Sequence, residues 1–199
     1  MIDNFKQIND LLEFIDEDDF YILQVMMRRK EHSDLRQNSF VLLTVYLTEP
    51  DQLIKEKDTL IDLAQKKNAR IYLNPSVKSF KKCSLQMLKE LADRISKDDY
   101  HKPWKIFDGV AGASGSRNPI WVVDLDFEPE ISEFARNSKV DDVIKEINEL
   151  RPNHNKIVSV IPTKNGYHVL TTPFDLQSFH IIYPNIDVHK NNPTLVYVP

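Results

Sequence analysis

Residues Ile120 to Phe127 read Ile-Trp-Val-Val-Asp-Leu-Asp-Phe, an apolar run that closes on two aspartates. Side chains of an extended strand alternate between its faces with period two. Asp124 and Asp126 therefore share one face, while Trp121, Val123, Leu125 and Phe127 share the other. The run is too apolar for a peripheral strand, so the fold must bury this segment and still accommodate both acids. Two carboxylates side by side repel each other and resist desolvation. A divalent cation between them is the usual solution.

The segments around this strand predict an α+β fold. Phe5, Ile8, Leu11, Leu12 and Ile15 have helical spacing. Strands are expected over Phe20–Met27, over Phe40–Leu47 as a buried strand, and over Ala69–Leu73. Between the last two, Thr48-Glu49-Pro50-Asp51 opens a helix, which makes a strand–helix–strand unit. Ser84 is a candidate cap for a second helix through Ile95. The stretch from Asp98 to Pro119 has irregular composition and holds Gly109, Gly112 and Gly115, so it reads as a linker or functional loop.

Beyond the aspartates, Ser138 and Asp141 suggest a capping box for a helix through Leu150. Strands follow over Lys156–Ile161 and Tyr167–Thr172, and Asp175 caps a short helix. Ile186–His189 and Thr194–Val198 are expected to close the chain as a hairpin. The order from Ile120 onward matches a ferredoxin-like (RRM-like) sheet. The expected organisation is a single domain with an α/β lobe over 1–108, a glycine-containing loop over 109–119 and a ferredoxin-like lobe over 120–199.

A chain of 199 residues, 41% of them hydrophobic, can bury one core or two small lobes that share one. No apolar run approaches the roughly 18 residues that span a bilayer, and no signal peptide is evident, so no membrane partner is expected. Cys83 is the only cysteine. It rules out internal disulfides and cysteine-based zinc clusters, and it suits a reducing cytoplasm. A net charge of −4 does not advertise nucleic-acid binding, which then depends on local patches such as Arg28-Arg29-Lys30 and Lys78 with Lys81-Lys82.

Asp187, in Ile186-Asp187-Val188, is a third carboxylate between β-branched neighbours. Sheet pairing between distant strands would bring it to Asp124 and Asp126. Hard oxygen ligands favour Mg²⁺ or Mn²⁺ over zinc. Two such ions about 3.5–4 Å apart are the standard apparatus of phosphoryl and nucleotidyl transfer. The turn Thr163-Lys164-Asn165-Gly166 before His168 offers a hydroxyl, an ammonium, backbone N–H groups and an imidazole, which together suit a triphosphate. Arg117 and Lys190 are further candidate phosphate contacts.

These segments resemble, in order, the three motifs of the archaeo-eukaryotic primase superfamily. Val122-Val123-Asp124-Leu125-Asp126 is similar to its acidic strand motif. Thr163-Lys164-Asn165-Gly166-Tyr167-His168-Val169 is similar to its nucleotide motif, with threonine where serine is frequent and five residues from the histidine. Ile186-Asp187-Val188 is similar to its third motif, an aspartate before a polar hairpin. The resemblance implies an N-terminal α/β lobe beside a ferredoxin-like catalytic lobe. It also implies metal ions on the first and third motifs and an incoming nucleotide on the second.

The expected activity is that of a metal-dependent primase or DNA polymerase-like nucleotidyltransferase. Its expected partners are a nucleic-acid template and primer, nucleoside triphosphates, and a helicase or other replication or repair proteins. Two alternatives stay open: a non-catalytic module that binds single-stranded nucleic acid, and a metal-dependent nuclease using the same carboxylates.

Overall fold

Two antiparallel sheets carry the architecture of the computed structural model, which describes residues 1–199. Along the chain, β1 (Ile2–Asp3) and α1 (Phe5–Asn9) precede β2 (Asp19–Arg28) and β3 (Ser39–Leu47). Helices α2 (Gln52–Lys55) and α3 (Lys57–Lys66) lead to β4 (Arg70–Leu73), β5 (Lys78–Ser79) and α4 (Phe80–Ser96). A 3-10 turn at Pro103–Lys105 and α5 (Ile106–Ala113) come before β6 (Trp121–Asp126) and α6 (Glu133–Glu149). Then follow β7 (Ile157–Pro162), β8 (Gly166–Thr171), α7 (Leu176–Ile182), β9 (Asp187–His189) and β10 (Thr194–Val198). The fold is mixed α+β.

The first sheet has the order β1-β10-β4-β2-β3, with β5 paired to β2. The second has the order β7-β8-β6-β9. The face of β6 that carries Val123 and Leu125 packs on Val140, Val143 and Ile147 of α6 and on Phe179 of α7. Val122, on the opposite face, joins Ile161 and Leu170 in a core shared with Leu23, Val25 and Ile71 of the first sheet. No helix is long and apolar enough to cross a membrane.

Several expected boundaries move, each for a physical reason. The terminal hairpin does not form. β9 pairs with β6, whereas β10 crosses to lie between β1 and β4. Every residue of β10 is buried, so the strand needs a neighbour on each side. The chain's end thereby belongs to the first sheet, and the lobe boundary expected at residue 120 does not contain it.

The glycine-rich stretch is partly helical. Ile106, Val110 and Ala111 bury against Phe20 and Ile22, and that tertiary burial overrides the low helix propensity of Gly109 and Gly112. Helix α4 starts earlier than Ser84, because Ser79 caps it by accepting the Lys82 N–H at 3.1 Å. Helix α6 likewise starts earlier than Ser138, at Glu133, capped by Ser132, whose hydroxyl accepts the Ala135 N–H at 3.3 Å. Its first turns are mostly exposed and leave no apolar signature. Helix α1 ends at Asn9, since the chain turns away to let Ile15 and Asp16 donate backbone N–H groups to Asp19 at 2.8 and 3.0 Å. Strand β3 is an edge strand with Phe40, Val41 and Leu43 exposed, not a buried one. Asp175 caps α7 as expected, accepting from Gln177 and Ser178.

Candidate nucleotide and metal site

Strand β6 is the middle of the site because it has a partner on both sides. Asp124 stands opposite His168 on β8 and opposite Asp187 on β9. Directly opposed residues of antiparallel strands project from the same face. His168, Asp124 and Asp187 therefore form one row across three strands, and Asp126 lies two residues along the same face.

Asp124 is half-buried, and its carboxyl is raised above the usual carboxylate range. Burial is the largest cause, with the negative charges of Asp126 and Asp187 adding to it. His168 is more deeply buried. Its Nδ1 lies 2.9 Å from Thr194 Oγ1, and its Nε2 lies 3.5 Å from Asp124 Oδ1. Desolvation holds the imidazole down at about 4, so it is neutral at pH 7. The tautomer that suits both neighbours carries the proton on Nε2, facing the carboxylate, and accepts the Thr194 hydroxyl at Nδ1.

The turn before His168 is built from its own polar groups. Thr163 N–H donates to the Gly166 carbonyl at 2.8 Å, and Gly166 N–H donates to Thr163 Oγ1 at 3.1 Å. Gly166 lies against β6, where a Cβ would overlap the Leu125 carbonyl oxygen and stand 2.9 Å from its carbon. Only glycine lets the turn approach this closely. Its role is to seat the turn, and the Thr163 hydroxyl is engaged in the same task.

A cleft of about 240 Å³ opens between the sheets above His168, Asp124 and Asp126. Asp124, Asp126 and His168 line one side, with Thr163 and Lys164 at the turn. Arg28, Lys30, Arg70 and Tyr72 line the other, with His189 and Asn192 nearby. The Arg28 guanidinium sits 5.8 Å from the centre of the Tyr72 ring. One wall of the cleft is thus acidic and the other basic. A second hollow, of about 190 Å³, lies beside Asp124, Asp126, Lys139 and Asp187.

The three carboxylates offer the donor type that a hard divalent cation takes. They are oxygen donors on one face, and no arginine or lysine forms an ion pair with any of them. Their oxygens do not all lie within 4.8 Å of one another, a separation met instead by Asp16, Asp18 and Asp19. That second group already has partners. Arg117 donates to Asp16 at 2.6 Å and to Asp19 at 2.5 Å, while Ser79 and the Lys81 N–H serve Asp18.

Among the expected nucleotide contacts, Lys164 and His168 line the cleft. Arg117 does not, since Asp16 and Asp19 hold it elsewhere. Lys190 rests 5.0 Å from the centre of the Trp121 ring rather than in the cleft. Sequence reading did not single out Arg70, Tyr72, His189 or Thr194. His189 had a signal, as it follows Asp187 by two on the same strand face. Arg70 and Thr194 had none, because both reach the site through strand neighbours distant in sequence. No protein-family model matches the chain, and no curated protein or solved structure does either.

Proposed function

We propose that the cleft joins a nucleoside triphosphate to the 3′ end of a nucleic-acid strand. On this reading the chain is a metal-dependent nucleotidyltransferase of the primase-polymerase type. The observation behind it is that His168, Asp124 and Asp126 face a basic wall across one cleft, while Asp187 stands opposite Asp124 on β9 and lines the adjoining hollow. The element order β6-α6-β7-β8-α7-β9 with strand order β7-β8-β6-β9 supports reading the second sheet as a ferredoxin-like, RRM-like catalytic lobe. The first sheet with α2 to α5 then takes the place of the N-terminal lobe.

Asp124, Asp126 and Asp187 would hold Mg²⁺ or Mn²⁺, which when bound lowers the pKa of the attacking hydroxyl and takes up charge on the leaving pyrophosphate. The chain's own residues do the rest. Neutral His168, fixed by Thr194, keeps its Nε2–H 3.5 Å from Asp124 and so available to a phosphate oxygen in the cleft, without adding charge. Lys164 and Arg70 neutralise phosphates from opposite sides of the cleft, and Arg28 and Lys30 extend that basic surface toward a template strand. In the transfer, the 3′ oxygen bonds to the α-phosphorus and the α–β phosphoanhydride bond breaks. The hydroxyl proton passes to water.

The test is the fate of an end-labelled primer on a template with Mn²⁺ and deoxynucleotides. Extension by the wild-type chain, abolished by Asp124→Asn with Asp126→Asn, supports the reading. Shortening of the primer makes the chain a nuclease. Binding without either change makes it a non-catalytic module.

A further inference from the structure

Glu31, in the loop after β2, bridges two basic residues that line the cleft. Its Oε1 pairs with Arg70 Nη2 on the first sheet and lies 3.9 Å from Lys164 Nζ on the turn of the second. Glu31 and Arg70 are both mostly buried, whereas Lys164 is largely exposed. The Arg70 pairing is incomplete. Arginine and carboxylate commonly meet through two parallel hydrogen bonds. Here Glu31 Oε2 and Arg70 Nε are both buried with no hydrogen-bond partner. A buried donor and a buried acceptor left unmet are costly, and a better-matched anion would relieve the donor.

A phosphate group is such an anion. Its oxygens can accept from Nη2 and Nε of Arg70 together while lying close to the Lys164 ammonium, a reach that Glu31 spans with a single oxygen. Arg70 and Lys164 also line the cleft, so a phosphate arriving there meets the groups that Glu31 now holds. Resting on the reading of this cleft as a nucleotide site, we propose that Arg70 and Lys164 form a phosphate subsite and that Glu31 occupies it as a stand-in until substrate displaces it. The carboxylate then competes with the ligand and sets how tightly the cleft binds phosphates.

The phosphate can come from a nucleoside triphosphate or from a nucleic-acid backbone, and two probes separate these sources. Equilibrium binding of dATP with Mg²⁺ and of a labelled oligothymidylate is measured for the wild type, Glu31→Gln and Lys164→Gln. Glu31→Gln is expected to tighten the probe that uses the subsite by about tenfold, and Lys164→Gln to loosen the same probe by a similar factor. A gain for dATP assigns the triphosphate, and a gain for the oligonucleotide assigns the backbone. Unchanged or weaker binding of both probes by Glu31→Gln, with a wild-type melting temperature, overturns the proposal. Lys164→Gln alters an exposed side chain and keeps the fold, so unchanged affinities in that variant overturn it as well. Primer extension is followed in parallel. Extension with no Glu31 effect removes the stand-in and leaves the transfer reading. A Glu31 effect without extension does the reverse.

Discussion

Asp124 on β6 and Asp187 on β9 stand directly opposite one another, although 62 residues separate them along the chain. The pairing puts like charges face to face on adjacent strands, an arrangement that costs stability when nothing positive intervenes. The raised carboxyl of Asp124 reflects it, behind the larger effect of burial.

Relief of that repulsion is measurable. Asp187→Asn is expected to raise the melting temperature of the metal-free protein by about 2–4 °C, the shift for roughly 1 kcal/mol in a chain of this size. Mn²⁺ is expected to raise the melting temperature of the wild type and to have less effect on Asp187→Asn. Thermal melts with and without Mn²⁺ check both. A lower melting temperature for metal-free Asp187→Asn would show that the carboxylate is held by favourable contacts instead.

His168 gives the acid limb of stability a sign. Its folded value of about 4 lies below the ordinary 6.5, so the unfolded chain takes up a proton first as pH falls. The stability present above pH 6.5 is therefore lost between about 6.5 and 4, by ~3 kcal/mol at most. Urea unfolding across this range should show a slope that His168→Gln flattens. An unchanged slope would mean that another group dominates it.

Arg117 separates a structural from a substrate role. Its guanidinium holds Asp19, whose carboxyl lies below the usual range. Burial alone would raise that carboxyl, but the Arg117 hydrogen bond and the Asp16 and Ile15 N–H groups outweigh it. Arg117→Met leaves Asp19 charged and buried, so a lower melting temperature is expected. Nucleotide KM in primer extension should stay at the wild-type value. A KM that rises severalfold in a stably folded Arg117→Met protein would return the arginine to the substrate.

The sequence carried the second sheet well because its signals are local. Alternation at Trp121–Asp126 and the glycine turn before His168 located β6 and β8. Long-range pairing was less legible. Leu195-Val196-Tyr197-Val198 reads as a buried strand, but nothing in it says that the neighbours are β1 and β4 rather than β9. The carboxylates and His168 were legible as types at defined strand positions. Arg70, Thr194 and Glu31 were not, since each enters the site by a contact with a residue far along the chain. Arg117 was misplaced for the same reason, as its partners lie 98 and 101 residues earlier.

Anomalous diffraction from a crystal soaked with Mn²⁺ and a nucleoside triphosphate tests the metal site at Asp124 directly. Manganese peaks are expected in contact with Asp124, Asp126 and Asp187, with the triphosphate between them and Lys164. A peak confined to Asp16, Asp18 and Asp19, with none at Asp124, would place the metal elsewhere and remove the transfer site from the cleft.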